Sequence, residues 1–160
     1  LRTEMRIDGV VLALGSSGDA VEGASPPSVT LTGVLDKIEP LEGSGESVLV
    51  VDYKTGRPRS RNDIEGKTKT SLGEYKRQLI FYKILLDRYG RDSDRPRAGQ
   101  FSMAAGEIDF VEPDSRGRYH RERFDVTEED AQLLEGEIRR IIGEIWSLSF
   151  WDATCRRREC

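Results

Sequence analysis

The chain is 160 residues long, 36% hydrophobic and 34% charged, with a formal net charge of −4, the size of one domain able to bury a core without disulfides. No stretch approaches the roughly 20 consecutive apolar residues of a membrane helix, and the opening LRTEMRIDG lacks the apolar run of a secretion signal. The acidic average, with a pI near 5.2, argues mildly against a nucleic-acid binder. It conceals an asymmetry. Between Tyr53 and Arg77 eight Lys and Arg residues stand against only Asp63, Glu65 and Glu74, a local excess of +5 that leaves −9 for the rest.

In chain order, residues 2–15 mix alternation with a short apolar run and predict one or two strands. Residues 15–28, rich in Gly, Ser and Pro, predict a loop. VTLTGVLDKIEP, residues 29–40, predicts a strand closed by Pro40, and LEGSGES a turn. VLVVDYKT follows, and its apolar start, Val48 to Val51, predicts a central strand buried on both faces. Residues 56–70 read as irregular and basic. Leu72, Tyr75, Leu79, Tyr82, Leu85, Leu86 and Tyr89 recur at helical spacing and predict a helix over 72–89, with Gly90 as its C-terminal cap. Two or three strands are expected within 98–125, from GQFSMA, GEIDFV and YHRERFDV. Thr127 opens TEED, a capping box with Asp in place of Glu. The helix behind it carries Leu134, Ile138, Ile141, Ile142, Ile145 and Leu148 on one face. Strands, helix, strands, helix predict an α/β or α+β fold around a mixed sheet, here read as one domain over residues 1–160.

Several motifs fail on inspection. Gly66-Lys67-Thr68 resembles the end of a phosphate-binding loop, but the glycine it requires falls at Arg61. GSSGD and GSGES have neither dinucleotide-fingerprint spacing nor a following helix. His120 is the only histidine, which excludes multi-histidine metal sites, and it is expected exposed on a strand. Cys155 and Cys160 are the only cysteines, too few for a disulfide framework, so a reducing cytoplasm is the expected compartment.

The informative residues are Asp36, Asp52 and Lys54. On a strand Val48, Val50, Asp52 and Lys54 share one face and Leu49, Val51 and Tyr53 the other. An acid and a base after two apolar residues on one face of a central strand are costly to bury unless something binds there. Asp36, sharing a face with Val34 and Ile38, would emerge beside Asp52 if the two strands form a hairpin. Two such carboxylates make a hard-cation site suited to Mg²⁺ or Mn²⁺. The alternative is a buried Asp–Lys ion pair without chemistry.

TGVLDKIE, then VVDYKTG, then YKRQLIFYKILL on a helix resemble the PD-(D/E)XK nuclease superfamily, in particular its RecB-like branch as found at the C-terminal end of UvrD-type helicases. Three motifs occur in order over roughly residues 30–90. The resemblance implies a restriction-endonuclease-like core and a metal-dependent deoxyribonuclease. It implies Asp36 and Asp52 as metal-binding acids, the Tyr53 carbonyl as a further metal contact, and Lys54 as the catalytic lysine. Gln78 and Tyr82 match the helix pair facing the site, and their i, i+4 spacing places them on one helical face. The basic segment, with Arg57, Arg59, Lys67 and Arg77, would grip DNA backbone.

Two departures stand out. Family members carry a helix before the first strand that adds a metal contact. This chain starts without Met and directly in strand-like sequence, so it reads as a piece of a longer helicase–nuclease whose first helix is missing and whose metal site is incomplete. Some relatives hold an iron–sulfur cluster on one early and three late cysteines. Cys155 and Cys160 sit where late ligands for such a cluster or for zinc would, but the early cysteine is absent, and they are read as leftover thiols. Expected partners are DNA and the helicase motor of the parent chain, with no membrane. Two rival readings are a non-catalytic DNA-holding module and a docking domain, the latter predicting a large exposed apolar patch.

Overall fold

Alternating and β-branched sequence forms five strands and the 3.6-residue periodicity two long helices in the computed structural model, which describes residues 1–14, 27–43, 46–92, 101–149 and 151. The elements are β1 (Arg2–Ala13), β2 (Ser28–Pro40), β3 (Ser47–Lys54), a one-turn α1 (Arg61–Ile64), α2 (Glu74–Asp92), β4 (Ser102–Phe110), β5 (His120–Asp125) and α3 (Glu128–Ser147). They build one mixed sheet in the order β1-β2-β3-β4-β5, the α+β architecture expected from the sequence. β1–β2, β2–β3 and β4–β5 pair antiparallel, and β3–β4 pair parallel across the connection that contains α2.

β2 and β3 pair as the anticipated hairpin, tied by the Leu41 N–H donating to the Ser47 carbonyl at 2.9 Å. β3 is buried on both faces as its apolar run requires. Val48 and Val50 join Leu35 and Ile38 beneath Leu79, Tyr82, Leu85 and Leu86 of α2. Leu49 and Val51 pack with Ala105 and Leu41 on the other side. α2 lies close on the sheet because two strand positions carry no side chain. A Cβ at Gly33 would come 2.5 Å from Leu85 Cδ1, and one at Gly106 2.9 Å from the Leu79 methyls.

Several expectations need correction. α2 starts at Glu74, so Leu72 precedes it and is 80% exposed. Gly90 does not cap it, since the helix continues to Asp92. GQFSMA and GEIDFV are one strand, because Gly106 is the position that admits Leu79 and not a breaker. The 98–125 region therefore holds two strands among its described residues. The 56–70 segment is not wholly irregular. Ser60 caps α1 by accepting from the Asp63 N–H. Val34 does not share the core face with Ile38: it is exposed while Leu35 and Ile38 are both buried, so the alternation slips by one between them. Glu4, at a positive φ of 50°, falls between the paired positions Thr3↔Lys37 and Met5↔Leu35, level with that slip.

The TEED box is present, with Thr127 and Asp130 exchanging side-chain and backbone bonds. Only the first half of the apolar face of α3 is covered. Leu134 is buried and Ile138 packs on the core, while Ile141, Ile145 and Trp146 are exposed. Leu148 is the left-handed C-cap and not a helical position. Of the loop expected over 15–28, residues 15–26 lie outside the described residues, as do both cysteines, and Ser28 already belongs to β2. Among the described residues no helix is long and apolar enough to cross a membrane.

Candidate active site

The β2–β3 ladder ends at Lys37↔Val51, and Asp36 and Asp52 come level with one another where the strands part. The Asp36 carboxylate accepts the Tyr53 backbone N–H at 3.0 Å through Oδ2, a donor that the parted ladder leaves without a β2 carbonyl. Asp36 is half-buried, whereas Asp52 is 1% exposed. α2 crosses above this point, and its stripe Tyr75, Gln78, Tyr82 turns toward the strand ends at i, i+3, i+7 spacing.

Gln78 is the hub. Its Oε1 accepts from Lys54 Nζ at 2.7 Å, and its Nε2 donates to Asp52 Oδ1 at 2.9 Å and to Tyr82 Oη at 2.6 Å. Tyr82 Oη in turn donates to Asp52 Oδ1 at 3.0 Å. Oδ1 of Asp52 is thus well satisfied. Oδ2 is different. Lys54 Nζ lies 2.6 Å away as an ion pair, but off the line of a hydrogen bond, so Oδ2 is buried without an aligned donor. A buried, under-satisfied carboxylate oxygen is expensive for the fold and calls for a ligand.

The electrostatics agree. Burial pushes the Asp52 carboxyl above the ordinary carboxylate range; Lys54 and Tyr82 pull it back, and the charge of Asp36 raises it further. Burial, and then the negative charge of Asp52, hold the Tyr82 hydroxyl far above the usual phenol range. Tyr82 is therefore a fixed donor to the carboxylate.

Five residues singled out in the sequence, Asp36, Asp52, Lys54, Gln78 and Tyr82, are brought together. Tyr53 joins them through its backbone, while its side chain points to the opposite, partly exposed face. The basic segment is less free than its composition suggests. Arg59 pairs with Glu74, Arg61 with Glu122, and Lys67 with Glu65. Arg77 donates to the Leu72 carbonyl at 3.1 Å and borders the α2–α3 groove, a space of about 380 Å³ that Gln78, Phe81, Ile138 and Ile141 also line. Arg57 is exposed. His120 is not simply exposed: half-buried at the start of β5, its Nε2 lies 2.9 Å from Asp114 Oδ2, two strands from Lys54 in the row that runs through Phe110.

Sequence reasoning misses two residues. Tyr75 holds both Lys54 Nζ, 4.9 Å from its ring centroid, and the Arg59 guanidinium, 4.5 Å away. Glu74 is the partner of Arg59. Helical spacing does place Tyr75 on the face of Gln78, but periodicity alone assigns it only to the core.

The acids suit a hard divalent cation. Asp52 Oδ2 is buried with an ion pair but no aligned hydrogen bond, Asp36 comes level with it, and both offer oxygen in place of sulfur or imidazole. Among the described residues no group of three or more acidic, histidine or cysteine side chains forms a cage, so such an ion would keep open positions.

Compared with known families, residues 2–160 match the family model for the PD-(D/E)XK nuclease superfamily. No curated protein matches the chain.

Proposed function

This chain belongs to the PD-(D/E)XK nuclease superfamily, whose membership implies a metal-dependent nuclease, and on that footing we propose that it hydrolyses DNA phosphodiester bonds with Mg²⁺ or Mn²⁺ held by Asp36, Asp52 and the Tyr53 carbonyl. The observation that carries this reading is the buried Asp52 carboxylate, whose Oδ2 lacks an aligned donor while Lys54 pairs with it and Asp36 comes level with it on the neighbouring strand. When bound, a divalent ion supplies Lewis-acid activation of water and of the phosphoryl oxygen.

The protein's own groups do the rest. Tyr82 and Gln78 fix Asp52 through Oδ1, which leaves Oδ2, paired with Lys54, and the second Asp36 oxygen facing the site. Gln78 and Asp52 hold the Lys54 ammonium at 2.7 and 2.6 Å. An ammonium has three N–H donors, so at least one is left for a phosphate oxygen on which charge grows in the transition state. Arg57, Arg59, Lys67 and Arg77 meet the phosphate backbone as it enters, each first releasing whatever carboxylate it holds. A cytoplasmic role in DNA repair or recombination, coupled to a helicase motor in the same parent chain, is the setting the three RecB-like motifs favour. The exposed Ile141, Ile145, Trp146, Leu148 and Trp151 support a docking role for α3 beside the nuclease role.

End-labelled single- and double-stranded DNA incubated with Mg²⁺, Mn²⁺ or chelator tests the reading. Metal-dependent loss of label, absent in Lys54→Ala, is the expected result. Binding without cleavage under every metal would instead favour a non-catalytic DNA-holding module.

A further inference from the structure

Arg59 lies outside the Asp52 network, yet one aromatic ring connects them. Tyr75 stands three residues before Gln78 on the same side of α2, and its ring rests against Phe110 with centroids 6.2 Å apart and planes tilted by 51°. The Arg59 guanidinium sits 4.5 Å from the Tyr75 centroid and Lys54 Nζ 4.9 Å from it. The two cationic groups are therefore no further apart than the sum of those distances. A guanidinium lying on an aromatic face keeps its planar fork of donors available at the edge, the geometry that suits bidentate binding of a phosphate. In this structure a carboxylate takes that edge: Glu74 pairs with Arg59.

We propose that Arg59, held on the Tyr75 ring, is the phosphate clamp adjoining the Asp52–Lys54 centre, and that Glu74 is its resident counter-ion, displaced by a DNA phosphate on binding. The proposal rests on the nuclease reading and names the part of that site which takes the substrate backbone.

The exchange is easy for both partners. Arg59 and Glu74 are each close to half exposed, and an ion pair so well solvated holds its members weakly. Glu74 is not stranded when Arg59 leaves. It is the first residue of α2, its own backbone N–H is the main group holding its carboxyl below the usual range, and Ser71 Oγ donates to Oε2 at 3.2 Å. Arg59 is not lost either, because the ring keeps it in place. Glu74 thus fills the position in the absence of DNA and balances the charge of Arg59 at the Tyr75 ring, as Asp52 balances that of Lys54.

The test is a double-mutant cycle read by fluorescence anisotropy of a labelled single-stranded oligonucleotide in chelator, over a salt series. Arg59→Gln is expected to weaken binding and lower the salt slope by about 0.7, the value for one phosphate contact on a single strand. Glu74→Gln is expected to tighten binding about two- to fivefold, the weight of one exposed pair, and this gain should vanish in the Arg59→Gln background. Tyr75→Leu should abolish the coupling, and Tyr75→Phe, which keeps the ring, should retain it. An equal gain from Glu74→Gln with and without Arg59 would show that Glu74 only repels DNA, and the clamp would be refuted. An unchanged salt slope in Arg59→Gln would refute it as well. If the chain binds and cuts DNA while the cycle is additive, only the clamp fails. If it neither binds nor cuts, the nuclease reading falls and takes the clamp with it.

Discussion

Gln78→Glu is the sharpest probe of the polar hub, because it changes one atom type and leaves the shape of the side chain. The new carboxylate would sit where Gln78 Nε2 now donates to Asp52 Oδ1 at 2.9 Å. Two full charges at that separation repel by on the order of 6 kcal/mol at an effective dielectric of about 20. The pair need not bear all of it, since a proton can be taken up. Holding the introduced carboxyl protonated at pH 7 costs about 3.7 kcal/mol from a reference pKa of about 4.3, and at pH 5 only about 1 kcal/mol. The cheaper route sets the limit, and attraction to Lys54 at 2.7 Å reduces it. The expected destabilisation is about 2–4 kcal/mol at pH 7 and about 1–2 at pH 5, the remainder being the hydrogen bond lost to Tyr82 or Asp52. In a chain of this size that is a melting temperature about 5–15 °C lower at pH 7, with about half of the loss recovered at pH 5. The direction follows from linkage. The introduced carboxyl would have a folded pKa above its unfolded one, so its contribution is fully present below about pH 4.3 and is lost as pH rises through the folded value. Thermal melts of wild type, Gln78→Glu and Gln78→Leu from pH 5 to 8 decide it. A Gln78→Glu deficit that is absent at pH 7, or equal at pH 5 and 7, would refute the placement of Gln78 against a buried, ionised Asp52.

Lys54→Ala is expected to lower the rate of metal-dependent DNA cleavage by about two to four orders of magnitude; a wild-type rate would reduce Lys54 to an ion-pair partner. Because the same change takes the counter-charge from Asp52, its carboxyl rises further, and the variant should melt lower relative to wild type at pH 8 than at pH 5, which calorimetry can check. Reversing the charge at Arg57, Arg59 and Lys67 together should weaken DNA binding alike for all sequences and flatten its salt dependence. Gly66→Ala should lower the melting temperature by several degrees, because φ is +73° and a Cβ would stand 2.7 Å from the Gly73 backbone nitrogen. The exposed helical Gly143→Ala, with nothing within 4 Å, should instead raise stability slightly, by about 0.5–1 kcal/mol.

The strand assignments, the pairing of Asp52 with Lys54 and that of Gln78 with Tyr82 were legible from local periodicity, whereas bringing the two pairs together was only what the resemblance to the nuclease motifs implied. A period of two places Asp52 and Lys54 on the face of Val48 and Val50, and a spacing of four aligns Gln78 with Tyr82. What stayed hidden depends on neighbours distant in sequence. The slip between Leu35 and Ile38 belongs to the pairing of β2 with both β1 and β3. Gly106 reads as a breaker until Leu79 is seen to need its space. The charge excess of 54–77 predicted an open cationic surface, but Glu122 and Glu65 were not foreseeable partners for Arg61 and Lys67. Charge counting cannot tell a solvated cation from a paired one.

One structural fact ties these together. β2 pairs with β3 over four positions only, Lys37 to Pro40, while β3 and β4 pair along the whole length of β3 to Lys54. Beyond Val51 the strand is therefore held on the β4 side and open on the β2 side. Asp36, Asp52 and the Tyr53 N–H all lie at that opening. Were the β2–β3 ladder to continue, the Tyr53 N–H would have a backbone acceptor and Asp36 no reason to turn toward it. The parting also explains how a carboxylate that burial pushes upward is tolerated at all. Leu79, Leu85 and Leu86 of the same helix that carries Gln78 and Tyr82 are almost fully buried in the core over the sheet, and each such side chain contributes roughly 1.5–3 kcal/mol. That packing holds α2 over Asp52 whether or not the carboxylate is satisfied. The site's excess charge is thus sustained by apolar contacts that take no part in its chemistry, so truncating Leu85 should weaken the fold without moving the pH dependence that Gln78→Glu creates.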